Sequence, residues 1–237
     1  MACLICTSEK KELLGEKNTH QLFRCAECGF IFVDPFPSAD ELDAFYQNYK
    51  VNPNYARKTD AKVARSKRRI ARHMHRTPGR KFLDVGCNIG TGVEAARLLE
   101  FDAYGIDIDS ESIGIAKDLY PRNQYHAGSI ESLPAAWGNF DFIYSSEVIE
   151  HLPDPHAYYD ALTARMSKNA LLYITTPDAG HWRLPRDFVS WADVKPPEHL
   201  LYFTKPTLKR FLEAHGLELL KFEWNLKPGL KALLRKN

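Results

Sequence analysis

Four of the five cysteines stand in two matched pairs, Cys3-x-x-Cys6 and Cys25-x-x-Cys28, with 18 residues between the pairs. Each pair can offer two thiolates from one tight turn, and Gly29 lets the second turn close without a Cβ clash. That spacing suits tetrahedral zinc with all four positions filled, which leaves no place for water and makes the metal structural. A module of about thirty residues buries too little apolar surface to fold on its core alone, so a metal has a purpose there. The other reading of the thiols is a redox pair or no metal at all. A disulfide framework suits small exported chains, and Met1 to Cys6 lacks the basic-then-apolar layout of an export signal. His20, between the pairs, reads as a surface histidine.

A second chemical pattern begins at Lys81. The run Lys81-Phe82-Leu83-Asp84-Val85 reads as a strand and leads into Gly86-Cys87-Asn88-Ile89-Gly90-Thr91-Gly92, then into a helix. Such a turn aims backbone N–H groups at a nucleotide, and its glycines permit close approach. Asp84 decides which nucleotide. A carboxylate two positions before the first glycine would repel a pyrophosphate, but it would welcome an ammonium and a sulfonium. Asp107 ends the next strand, 17 residues after Gly90, where a carboxylate can accept both ribose hydroxyls. Ile106 and Ile108 flank it with apolar surface for an adenine face. S-adenosylmethionine fits these features better than NAD, and the Walker lysine pattern is absent.

Leu83–Gly90, Gly105-Ile106-Asp107-Ile108 and Asp141-Phe142-Ile143-Tyr144-Ser145-Ser146-Glu147-Val148-Ile149-Glu150-His151-Leu152 resemble the successive motifs of class I S-adenosylmethionine-dependent methyltransferases. The resemblance runs from about Lys81 to Trp224. Cys28-Gly29-Phe30-Ile31-Phe32-Val33-Asp34-Pro35 is similar to the zinc-ribbon lead-in of the branch that includes deoxysugar C-methyltransferases. The resemblance implies that Asp84, Gly86 and Gly90 hold the methionine end, Asp107 the ribose, and Ser129 with Ile130 the adenine. Asn88, Ile108, Ser145 and Glu147 complete the expected cofactor contacts. Three features depart from the family pattern. Asn88 replaces a glycine, although Asn tolerates positive φ better than most residues. Ser129 replaces an acid, and no clear seventh strand follows Trp224, only Lys227-Pro228-Gly229 and a basic tail.

Methyl transfer is an in-line displacement in which positioning does much of the work, with a base needed for a hydroxyl or carbon acid. Glu147, Glu150 and His151 share one face if their turn is helical. They resemble the Glu-x-x-Glu-His run of quinone-ring O-methyltransferases, where it is associated with a divalent metal. The plainer reading, that they only shape the cofactor pocket, is preferred because no further ligand is apparent nearby. The second source of a base is Glu198-His199, similar to the Glu-His pair beside the acceptor in the sugar C-methyltransferases. There an adjacent acid would hold the histidine; a buried histidine satisfied by backbone is the alternative. The catalytic expectation is therefore His199, Glu198 and His151. Trp182, Phe188 and Trp191 lie in an insert that reads as a lid, an acceptor wall or simple packing.

The elements that must position these residues follow from periodicity. Repeated β-α units from residue 81 predict an α/β fold, a doubly wound and mostly parallel sheet. Before it come a small N-terminal zinc ribbon over residues 1–36 and a helical lead-in over 37–80; the main domain spans 81–237. Ser38-Ala39-Asp40-Glu41 caps a helix carrying Leu42, Phe45, Tyr46 and Tyr49. Residues 57–81 hold eleven Lys or Arg and one acid, so this stretch is +10 in a chain of net charge +2. Val63, Ile70 and Met74 give it an apolar face, and a solvated amphipathic helix is the first reading. A phosphate-contacting surface is the sharper one, although no aromatic interleaves the cations. With 44% hydrophobic and 26% charged residues and no apolar run near membrane length, a cytoplasmic location is expected. The expected function is methyl transfer to a small-molecule acceptor, a sugar or glycan/lipid precursor first. An RNA methyltransferase and a catalytically inactive binding module are the alternatives.

Overall fold

The computed structural model describes residues 1–47 and 59–237. Strands β1 (Lys11–Lys17), β2 (His20–Cys25) and β3 (Ile31–Val33) form an antiparallel meander. Its free edge does not end in solvent. β3 pairs with β9 (Leu201–Tyr202), a short strand contributed from far along the chain, in the register Ile31 to Tyr202 and Phe32 to Leu201. Phe30 and Phe32 are fully buried, and Phe30 packs on Phe203 at 4.9 Å between ring centroids. The aromatic run after the second cysteine pair thus belongs to the same hydrophobic core as the main domain.

Helix α1 (Ala39–Gln47) starts where Ser38 Oγ accepts from the Glu41 N–H. Tyr49, Arg57, Lys58 and the Tyr46 side chain lie outside the described residues. Helix α2 (Thr59–Ala71) carries the basic run, buries Val63 and Ile70, and packs on α3 (Thr91–Arg97). Met74 lies beyond it in a short 3-10 turn and rests against the same apolar cluster.

The main sheet has seven strands. In sequence they are β4 (Lys81–Val85), β5 (Asp102–Asp107), β6 (Gln124–Ala127), β7 (Phe140–Ser146), β8 (Met166–Pro177), β10 (Leu217–Phe222) and β11 (Gly229–Lys236). Their spatial order is β10-β11-β8-β7-β4-β5-β6, and β11 runs against its two neighbours while β8, β7, β4, β5 and β6 are parallel. Helices α4 (Ser110–Leu119), α5 (Pro155–Ala164) and α6 (Lys205–Ala214) complete the layers.

β11 corrects the expectation that a seventh strand was lacking. The Lys227-Pro228-Gly229 turn leads straight into it, and it pairs with β8 from Gly229–Pro177 to Arg235–Leu171. It escapes a sequence reading because both faces are covered, so simple alternation is lost. Leu230, Ala232 and Leu234 join the core on the ribbon side, whereas Leu233 joins the other. Lys231 and Arg235 share the face of Leu233 and give the strand the look of a basic tail.

Candidate functional site

The glycine turn leaves β4 at the C-terminal edge of the sheet, beside the end of β5. Gly86, Asn88 and Gly90 all take positive φ, at 72°, 48° and 78°. The turn therefore survives Asn88, which tolerates this region better than most residues with a Cβ. A Cβ on Gly90 would fall 2.5 Å from Tyr125 Oη, and one on Gly86 would fall 2.6 Å from Val148 Cγ2. Both glycines are fixed by space as well as by φ.

Asp107 locks the turn from the neighbouring strand. Its two carboxylate oxygens accept from the Asn88 N–H at 2.7 Å and the Asp109 N–H at 3.0 Å. Ile108 beside it is 66% exposed, an unburied apolar surface next to a carboxylate. Gly128, one residue before Ser129, donates its N–H to the Asp107 carbonyl at 2.8 Å, so the Ser129-Ile130 turn borders the same edge. Ser129 is exposed and Ile130 buried. Asp84 is almost fully buried; burial pushes its carboxyl well above the ordinary carboxylate range, and the negative charge of Asp107 adds to the effect. Ser145 is fully buried.

The second part of the site joins the loop after β7 to the loop before β9. The expected helical face of Glu147, Glu150 and His151 does not form. Glu147 sits at φ 59° outside a 3-10 turn over Ile149–His151, and its Oε1 accepts from Thr175 Oγ1 at 2.7 Å. The fold instead gathers Glu150, His151 and His199, whose ligand atoms all lie within 4.8 Å of one another. His199 is therefore the nearby third group that the sequence did not reveal.

Each member of this trio is held by its outer atom. His151 Nδ1 faces the Glu198 carbonyl at 2.8 Å and His199 Nδ1 faces the Asp193 carbonyl at 2.8 Å. A carbonyl only accepts, so both rings carry their proton on Nδ1 and direct a free Nε2 lone pair inward. Glu150 Oε2 accepts from Thr176 Oγ1 at 2.9 Å, while Oε1 has no hydrogen-bond partner among the described residues and lies 4.0 Å from His151 Nε2. The two rings meet edge to face at 4.7 Å. Burial depresses the His199 imidazole to about 3, with the His151 and Lys195 charges adding, and lowers His151 as well. Burial, with Glu147 next, raises Glu150 well above its usual value. Burial thus favours two neutral imidazoles facing a carboxyl that resists ionisation.

One expectation is overturned here. Glu198 was to hold His199 as the adjacent acid, but its carboxylate pairs with Lys195 at 3.1 Å. The main chain of Asp193 orients His199 instead, and Glu198 serves His151 through its carbonyl. Thr175, Thr176 and Asp193 carry no local motif; only the pairing of β7 with β8 and the return of the chain toward β9 bring them in.

The ribbon reaches this cluster by main-chain bonds. Val33 donates to the Leu200 carbonyl at 2.9 Å, and Leu200 donates to the Glu150 carbonyl at 2.8 Å. At its far end, Cys3 Sγ lies 3.5 Å from Cys28 Sγ and Cys6 Sγ lies 3.4 Å from Cys25 Sγ, with all four sulfurs within 4.8 Å. Sulfurs bound tetrahedrally at about 2.3 Å from one zinc sit close to these separations. In the insert, Phe188 and Trp191 are buried, with Phe188 edge-on to Tyr202 at 5.6 Å, whereas Trp182 is exposed. No helix among the described residues is long and apolar enough to cross a membrane.

Comparison with known proteins agrees with this geometry. The profile of a methyltransferase domain family matches residues 55–221. A ubiquinone biosynthesis O-methyltransferase from Sinorhizobium medicae is 26% identical over 148 residues, covering 58% of this chain and 57% of that protein. A probable S-adenosylmethionine-dependent methyltransferase from Mycolicibacterium smegmatis is 25% identical over 145 residues, covering 61% and 54%. The chain thus spans about half the length of the curated relatives it matches. Among solved structures, an S-adenosylmethionine-dependent methyltransferase from Clostridium acetobutylicum superposes with a TM-score of 0.58 at 12% identity, covering 84% of this chain and 98% of the other. Magnesium protoporphyrin IX methyltransferase from Synechocystis, solved with bound S-adenosylhomocysteine, gives 0.55 at 13% identity, covering 84% and 95%.

Proposed function

The chain belongs to the methyltransferase domain family, and from that premise we propose that it transfers a methyl group from S-adenosylmethionine to a small-molecule acceptor, a sugar or other glycan or lipid precursor first. The observation that carries this reading is the Asp107 carboxylate clamped onto the glycine turn at Asn88, beside exposed Ile108. That donor set fits an adenosyl group: a carboxylate for ribose hydroxyls, an apolar face for adenine, and glycines that permit close approach. Bound there, S-adenosylmethionine supplies an electrophilic methyl on a sulfonium. Asp84 would stand toward the cationic methionine end, and Glu147 closes that edge from β7. His151 and His199 present the lone pairs that take the acceptor's proton, and Glu150 sits against both.

The O-methyltransferases among the relatives favour a second acceptor atom, a hydroxyl oxygen, and the same imidazoles would serve it. The four cysteines are read as structural zinc ligands, supported by the clustering of their sulfurs. Calorimetric titration of the zinc-loaded protein with S-adenosylhomocysteine tests the reading. Micromolar binding is expected, weakened at least about tenfold in Asp107→Ala through loss of charge-assisted hydrogen bonds. No binding to folded wild type would overturn it.

A further inference from the structure

The basic helix does more than face water. Arg69, half-buried on α2, donates from Nη1 to Tyr144 Oη at 2.9 Å, and no carboxylate among the described residues lies within ion-pair distance of it. Tyr144 stacks on Tyr173 at 5.5 Å with the rings nearly parallel. Lys231, also half-buried, stands on the same face of the sheet one strand further out, and its ammonium donates to Asn225 Oδ1 at 3.3 Å. Burial and then the positive charge of Arg69 lower the Lys231 amine, the Glu223 carboxylate opposes them, and Arg72 and Arg65 add to the lowering.

The nearest acid on the outer side, Glu223, is already shared. It accepts from Tyr173 Oη at 3.0 Å, lies 3.0 Å from His73 Nε2, and stands 3.8 Å from both Arg72 and Lys221. Residues 48–58 contain no Asp or Glu to supply a counter-charge. Among the described residues Arg69 and Lys231 have no carboxylate in ion-pair contact, Glu147 and Glu223 acting on them only from further off, and an anion between the two cations would relieve their mutual repulsion. Arg65, Arg69 and Arg72 recur at i, i+4 and i+7, spanning about 10 Å of helix, a reach suited to a phosphate or diphosphate rather than a single carboxylate.

The place of this cluster gives it a use. Lys231 lies opposite Thr175 in the β11–β8 ladder, and Thr175 is the residue that donates to Glu147. The cations therefore border the strand ends where the proposed chemistry occurs, on the face opposite the ribbon. We propose that Arg69 and Lys231, backed by Arg65 and Arg72, bind the phosphate or diphosphate of the acceptor, so that the substrate is a phosphate-bearing small molecule. This rests on the methyltransferase reading for the role of the ligand, while the anion site itself can be measured separately.

Inorganic pyrophosphate is the probe, titrated into zinc-loaded protein with and without S-adenosylhomocysteine. Binding near or below about 1 mM is expected, weakened at least about tenfold by Arg69→Gln or Lys231→Gln, as loss of a charge-assisted contact implies. Arg210→Gln removes an exposed cation on α6 and should leave the affinity unchanged, as should S-adenosylhomocysteine binding in all three variants. Two substitutions on different elements keep the test sound if one of them fails to fold. Absent pyrophosphate binding, or equal loss in all three variants, overturns the site. Tight binding of single-stranded RNA in place of pyrophosphate overturns it in favour of a nucleic-acid surface. Pyrophosphate binding to a protein that ignores S-adenosylhomocysteine removes the acceptor role and sinks the methyltransferase reading instead.

Discussion

At the scale of single residues, burial moves the site's ionisable groups away from their ordinary titration ranges. Burial, with the Asp107 charge adding, raises the Asp84 carboxyl well above its ordinary range in the free protein and so favours its neutral form. A cationic ligand would let it ionise, so S-adenosylmethionine binding should release about one proton. Calorimetry in buffers of different ionisation enthalpy reads that number directly, and Asp84→Asn should abolish the release. A raised carboxyl contributes stability below its unfolded value of 3.8, and that contribution is lost as pH rises. Asp84→Asn should therefore stabilise the free protein at pH 7 by about 1 kcal/mol while weakening cofactor binding, the usual conflict between stability and function. His199 has the opposite sign. Its imidazole is depressed from 6.5 to about 3, so its contribution is complete above pH 6.5 and falls away as pH drops toward 3. Denaturant unfolding across that window should show a shallower acid loss in His199→Gln than in wild type. Gly90→Ala meets both positive φ and Tyr125 Oη, and a loss of about 1–3 kcal/mol with weakened S-adenosylhomocysteine binding is expected.

At the scale of elements, the short ladder between β3 and β9 links the cysteine cluster to the Glu150, His151 and His199 cluster. The path is Val33 to Leu200 to Glu150, with His199 adjacent on the chain. The glycine turn and Asp107 lie on β4 and β5, outside that path. With the cysteines as the proposed zinc ligands, adding a chelator, or Cys25→Ser, should accordingly cut the methyl-transfer rate about tenfold or more, as misplacement of reacting groups does. Affinity for S-adenosylhomocysteine should stay within about threefold, because the cofactor edge keeps its own hydrogen bonds. Equal loss of both would mean that the ribbon supports the whole fold rather than this loop.

At the scale of the whole molecule, β11 closes the sheet between β8 and β10, and its two faces serve the two cores. Removing residues 229–237 would expose the β8 edge and strip a buried Leu-rich strand. The truncated chain should lose its cooperative thermal transition and aggregate, as measured by calorimetry and light scattering. The same strand carries Lys231, so one element both completes the fold and supplies a cation to the proposed anion site.

The sequence alone determined what is local. The turn from Leu83 to Gly90, the spacing to Asp107 and the two cysteine pairs each lie within a few residues or one β-α unit, where backbone geometry dictates residue type. Alternating β-α units were legible for the same reason. Tertiary structure decided whatever depends on strands meeting across long stretches of chain. β11 was hidden because burial on both faces erased its period. His199 joined Glu150 and His151 only because β9 returns to pair with the ribbon, and Asp193 rather than Glu198 orients it through a carbonyl every residue possesses. Arg69 and Lys231 came to the same face of the sheet only when β11 was set beside β8. Spacing along a chain records turns and periods; it carries no record of which distant lone pairs and charges the folded core will force together.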